Sequence, residues 1–229
     1  MPMLLGTIVY AFVNSIILAL MAIGFNLTFG ISGVANFAYG ALYIFSAYAT
    51  WMGLNLVGMP YPVAAAVSIL LTMLAGALMY RFILLRVRGQ TLSEVIATFG
   101  IGLAILEIFR YLGFVGFEYN LPVFVDDSIV LAGVFIDMQR LLIVIIGSVV
   151  ILGLWWFTHH TRLGLAFRGI AQDERTALTL GIDSDRIALL SVSLGAGLAA
   201  LAATVIIPLG SIAPGEGYDV LIKALAVCI

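Results

Sequence analysis

Residues 159–186 read HHTRLGLAFRGIAQDERTALTLGIDSDR, the longest strongly polar run in an otherwise apolar chain. The run carries Arg162, Arg168, Arg175 and Arg186 with Asp173, Glu174, Asp183 and Asp185, and hydrophobic stretches flank it on both sides. Ordering such a loop costs conformational entropy, so it is kept only if it folds onto something. Its inner part, 171–180, holds good helix formers, with Asp173 and Glu174 near the start where the helix dipole favours negative charge. Gly181 follows at the place of a C-terminal cap glycine. The stretch predicts a short helix lying at a membrane surface and presented to a partner.

Outward from this run the chain is membrane-like. Of 229 residues, 63% are hydrophobic and 10% charged, against about 25% charged in an average soluble domain; mean hydropathy is +1.20. No Asp, Glu, Lys or Arg occurs before Arg81. That charge-free start lacks the basic n-region of a cleavable secretory signal. The net charge of -2 gives no footprint for nucleic acid. Cys228 stands alone, so neither a disulfide framework nor a thiolate metal site is expected.

A helix needs about 20 apolar residues to cross the hydrocarbon core. Runs at 4–29, 32–54, 63–85, 95–114, 141–157 and 187–207 meet or approach that length, and 220–229 covers half of it. The expected fold is an all-α, polytopic transmembrane helix bundle: one domain over 1–229, with six complete spans and the start of a seventh, on a chain truncated at its C-terminus. The first two spans are expected to join tightly, through irregular or small-residue helix. Segment 115–140, with Glu118, Asp126, Asp127, Asp137 and Pro122, reads as polar and irregular. Arginines concentrate at Arg81, Arg86, Arg88 and in 159–186, which places those loops in the cytoplasm; the acidic 115–140 segment and the N-terminus then lie outside. In 187–207, Ser191, Gly195, Ala199 and Ala203 recur every four residues, a ridge that lets helices approach closely in lipid.

Three sets of side chains are candidates for function. Asn26, Thr28, Ser32, Asn36 and Tyr39 are uncharged hydrogen-bonding groups suited to line a path for a small polar solute, or to bridge neighbouring helices. Ser32 and Asn36, four apart, would share a helix face. Glu107, three residues before Arg110, is either an intramembrane acid that relays protons or binds an ammonium group, or half of a wetted ion pair near a helix end. His159 and His160 are adjacent, so they point apart and have no third metal ligand at useful spacing. Neither a metal site nor a catalytic constellation is expected, which leaves no role for an enzyme.

GFNLTFGISGVANFAYGALYIFSAY (residues 24–48) and RGIAQDERTALTLGID (168–183) together resemble the permease subunits of branched-chain amino acid ABC importers, and PGEGYDVLIKALAV (214–227) is a weaker match. Tyr39 stands where that family usually has histidine, and Ser46 where glycine is common. Of the general coupling pattern E-A-A-x-x-x-G, only Ala177 and Gly181 are matched, with Arg175 and Thr176 departing from it. The resemblance implies an inner-membrane importer subunit for branched-chain or related small amino acids. It implies two ATPase subunits docking on 159–186 through Arg168, Asp173, Glu174, Arg175, Ala177 and Gly181, a second related permease, and an extracytoplasmic substrate-binding protein. The chain has no G-x-x-x-x-G-K-[ST] segment, so ATP would be used by the partners, and no cofactor is expected on this chain. Urea or a short amide is the alternative substrate class. An ion-coupled secondary transporter, working through Glu107, is the alternative mechanism.

Overall fold

The computed structural model describes residues 2–114, 119–123, 128–131 and 134–228. Glu118, Asp126 and Asp127 of the acidic segment lie outside the described residues. The order is α1 (Pro2–Ser32), α2 (Tyr39–Asn55), α3 (Tyr61–Met79), a π-helical turn (Tyr80–Leu84), α4 (Leu85–Val87) and α5 (Thr91–Tyr111). A hairpin of β1 (Ser128–Leu131) and β2 (Val134–Asp137) precedes α6 (Met138–His160). Then come α7 (Arg162–Gln172), α8 (Glu174–Thr179), α9 (Ser184–Ile206) and α10 (Glu216–Cys228). The fold is an all-α membrane bundle. The antiparallel hairpin, pairing Ser128 with Asp137 and Leu131 with Val134, is its one departure among the described residues, in a segment expected to be irregular.

Among the described residues, five helical stretches are long and apolar enough to cross a bilayer: Gly6–Ser32, Tyr61–Val87, Thr91–Tyr111, Met138–His160 and Ser184–Leu209. The second span differs from expectation. Helix α1 runs on to Ser32, and α2 starts only at Tyr39 and has 17 residues, about 25 Å at 1.5 Å per residue. Gly33, at φ 67°, ends α1 by donating its N–H to the Phe29 carbonyl at 2.8 Å. The Asn36 Oδ1 then accepts the Ala38 N–H at 3.1 Å, just ahead of α2. The break is partly covered: Asn36 and Ala38 are buried, while Ser32 and Gly33 are exposed. Ser32 and Asn36 therefore share no helix face.

Helix α9 is the axis of the bundle, packed by α1, α2 and α3, and it is far more buried than the other long helices. The small-residue ridge explains why. Ser191, Gly195, Ala199 and Ala203 are all buried, and a Cβ built on Gly24 of α1 would lie 2.6 Å from the Gly195 carbonyl. The two backbones are thus in direct contact. Ser46, the departure from the usual glycine, donates to the Ala200 carbonyl at 3.4 Å and to Ser68 Oγ at 3.3 Å, while Thr50 donates to the same Ser68 oxygen at 2.7 Å. One hydroxyl cluster thereby ties α2, α3 and α9 where water is absent. Helix α10, 13 residues long, lays Gly217, Val220, Leu221 and Ala224 against α1 and α2.

Candidate functional site

The polar run folds as two helices rather than one. Thr161 caps α7 by accepting the Gly164 N–H at 2.9 Å, and α7 doubles back against the end of α6. Asp173 breaks the expected helix because its carboxylate takes over the next start: Oδ1 accepts the Arg175 N–H at 2.9 Å and Oδ2 accepts the Thr176 hydroxyl at 2.6 Å. Those bonds, to Thr176 first and then to Arg175, hold the Asp173 carboxyl below its ordinary pKa. At the far end Gly181, at φ 83°, donates to the Leu178 carbonyl at 3.0 Å, and Ile182 donates to the Ala177 carbonyl at 3.1 Å. This paired closure is the Schellman cap, and it needs the left-handed residue that glycine supplies. Ala177 and Ile182 then pack with Phe167, Ile170 and Ile187. So Asp173, Ala177 and Gly181 shape α8, while Arg175, Leu178 and Leu180 project from it, Leu180 being 77% exposed.

Glu174 has a different occupation. It lies 2.6 Å from Arg88 Nη2, and Arg88 also donates to Asp185 and to the Ser184 hydroxyl, which itself donates to Glu174. Arg88 sits in the turn between α4 and α5. One guanidinium thus joins that turn to the first residue of α8 and the first turn of α9. Sequence reasoning missed this role, because the partners are 86 to 97 positions apart.

Beside this knot a cavity of about 450 Å³ enters the bundle. Arg88, Glu94, Glu174 and Asp185 line its mouth, and Thr98, Asn36, Thr28 and Val192 line its inner part. Thr98 is seven residues into α5, about 10 Å from its start. The floor is the α1–α2 break, fixed there by a bond from the Phe37 N–H to Thr98 Oγ1 at 3.2 Å. Of the proposed path residues, Thr28, Ser32 and Asn36 line this cavity. Tyr39 does not. It is buried, its ring edge meets Phe25, and its hydroxyl donates to the Met21 carbonyl at 2.8 Å. Asn26 faces a separate groove between α1, α6 and α7, and Arg168 lines that groove too.

The opposite end of α9 is sealed by aromatic side chains. Tyr48 stacks on Phe109 with ring centroids 4.6 Å apart, and meets Phe114 and Tyr119 edge-on. Its hydroxyl donates to the Phe114 carbonyl at 2.9 Å, and the Ile212 N–H donates to the Tyr119 carbonyl at 2.9 Å. The bundle is therefore open at the arginine-rich end and closed at the other. Glu107 and Arg110 form a 2.6 Å pair in the last turns of α5, both substantially exposed on the bundle's outer face.

These features meet a sequence family. Residues 7–229 match the family described as branched-chain amino acid transport system, permease component. The chain belongs to that family. It is 32% identical over 226 residues to the high-affinity branched-chain amino acid transport system permease protein BraD of Pseudomonas aeruginosa, covering 92% of this chain and 73% of that one. It is 27% identical over 228 residues to LivH of Escherichia coli strain K12, with the same coverage. The probable permease LivH of Methanocaldococcus jannaschii is 27% identical over 233 residues, covering 98% and 71%. No solved structure matches. The protein is an integral membrane transport permease.

Proposed function

We infer that this permease is the membrane subunit of an ATP-driven importer for branched-chain amino acids, working by alternating access. The observation that carries the reading is the adjacency of a projecting helix and an open cavity. Helix α8 offers Arg175, Leu178 and Leu180 to a partner, and its first residue is bonded to Arg88 at the mouth of the cavity. A helix seated in a groove of an ATPase subunit would convert the closure of that subunit into rotation of α9 and α3. In this reading two ATPases dock at the arginine-rich end, which faces the cytoplasm of the inner membrane. The N-terminus and the aromatic seal face outward, where a binding protein would deliver substrate, and a second, related permease completes the membrane core.

The docking test follows from the division of labour within the run. Reversing Asp173 and Glu174 would destroy a cap and an internal ion pair, so it reports folding as much as docking. Leu178→Asp with Leu180→Asp changes only exposed positions. The wild-type protein should co-purify with the ATPase subunits of its transport system, and the double variant should lose them while keeping its elution profile. A wild type that recruits no ATPase, or imports without ATP, defeats the reading.

The cavity supplies a second test. Asn36→Ala should raise KM for uptake several-fold, because an inner-wall residue is lost, and should also loosen the start of α2. Tyr39→Phe should leave KM unchanged and lower the melting temperature, since a buried hydrogen bond is worth about 0.5–1.5 kcal/mol. A KM shift on Tyr39→Phe would put that residue back on the path.

A further inference from the structure

The groove between α1, α6 and α7 holds about 330 Å³ and is lined on its deep side by Ile23, Leu27 and Leu154. Three polar side chains also line it, and of these Thr158 already donates to the Trp155 carbonyl at 3.0 Å. Asn26 is exposed on α1 within the stretch Gly6–Ser32, and its amide makes no hydrogen bond among the described residues. It lies six residues before the helix end, about 9 Å along the helix axis. A lone amide there is unfavourable against hydrocarbon alone. Arg168, exposed on α7, lines the rim, and it has no carboxylate partner among the described residues. The groove lining contains no Asp or Glu at all. Trp155 and Trp156, more than half exposed, stack on His159 and His160 at the adjacent end of α6 and mark the water interface there.

We propose that this groove is a site for one anionic phospholipid. The Arg168 guanidinium donates to the lipid phosphate, a charge-assisted contact. The Asn26 amide donates to an ester carbonyl of the glycerol backbone, and an acyl chain lies along Ile23, Leu27 and Leu154. Charge complementarity selects the occupant: an uncompensated cation above an apolar wall fits a headgroup with net negative charge better than a zwitterionic one. The site removes Arg168 from the docking face of α8, and it stands whether or not the transport reading above holds.

The experiment is native mass spectrometry of the protein purified in mild detergent and supplied with phosphatidylglycerol or phosphatidylcholine. Wild type should retain one phosphatidylglycerol through gentle activation and release phosphatidylcholine. Arg168→Gln should weaken retention about tenfold, the scale of one charge-assisted bond. Arg162→Gln, on the same helix but outside the groove, should not. Asn26→Leu, which suits a lipid-facing position, should weaken retention without loss of folded protein, so the result does not hang on one variant. Equal retention of the two lipids, or equal loss in Arg162→Gln, overturns the proposal. Inorganic phosphate competing the lipid off at millimolar concentration would assign the site to a free anion and overturn it too. A nitroxide at Asn26→Cys, in a Cys228→Ser background, should be accessible to oxygen dissolved in the bilayer. Shielding from oxygen would place a protein subunit in the groove instead.

Discussion

Replacing Arg88 by alanine should uncouple the transporter: uptake falls about tenfold or more while ATP hydrolysis by the assembled partners continues. The magnitude is that of a coupling free energy of about 1–3 kcal/mol. Arg88 is the only described residue whose side chain bonds both α8, through Glu174, and α9, through Asp185 and Ser184. Its two carboxylate partners are more than half exposed, and Arg88 itself is 27% exposed. Each pair is therefore worth no more than about 1 kcal/mol to stability, so the fold survives the change. What is lost is the tie from the α4–α5 turn to both the docking helix and α9, while the Ser184–Glu174 bond remains. Arg88→Lys should restore little, because an ammonium is a point charge and cannot present a planar fork to three acceptors. Arg88→Glu combined with Glu174→Arg should recover part of the coupling. Uptake and hydrolysis should be measured together in proteoliposomes; uptake within twofold of wild type for Arg88→Ala would remove Arg88 from the mechanism.

The same tie gives the cavity a way to respond. The mouth residues Arg88, Glu94, Glu174 and Asp185 belong to four different pieces of chain. Any movement of α8 must therefore move part of the mouth. The inner wall is held by a different set of bonds, Phe37 to Thr98 and Asn36 to Ala38. The aromatic seal around Tyr48 is held by a third. Opening one end while closing the other requires these sets to be exchanged, and the π-helical turn Tyr80–Leu84 just before Arg88 is where α3 departs from regular geometry.

Local signals in the sequence reached the long helices, the Gly181 cap and the packing ridge of α9, because each is written in a short window. Gly181 needs only its own φ and the polar turn after it. The ridge needs only a four-residue repeat. Helix α7 went unseen because its buried residues, Gly164, Phe167 and Ile170, alternate with the exposed Leu163 and Leu165, which blurs the helical period. Thr161, an N-cap type directly before it, was the available signal. Leu178 and Leu180 were also available, as apolar residues in a polar loop. The α1–α2 break was located too early. Asn26, Thr28 and Gly30 look like loop residues, yet α1 absorbs all three and Gly33 ends it. The Arg88 knot and the Tyr39–Met21 bond are long-range, and one sequence carries no trace of them.

Gly195→Val should be among the most damaging single changes in the bundle. A Cβ at Gly195 meets Thr28 Oγ1 well inside contact distance, and the Gly24 carbonyl at 2.8 Å. The second neighbour is backbone, so no rotamer change relieves it; α1 and α9 must separate. Overpacking costs about 1–3 kcal/mol where side chains can adjust, and here the adjustment would break the central contact of the bundle. Helix separation would also unseat α10, which packs on α1 and α2 beside it. The expected result is little or no monodisperse protein by size-exclusion chromatography, with lowered membrane abundance. Gly100→Ala is the matched control. It lies on the exposed face of α5 with nothing within 4 Å of an added Cβ, and alanine favours helix over glycine by about 1 kcal/mol. That variant should be at least as stable as wild type. If Gly195→Val accumulates and melts like wild type, α1 and α9 do not meet backbone to backbone. The arrangement of the cavity walls around α9 would then have to be redrawn.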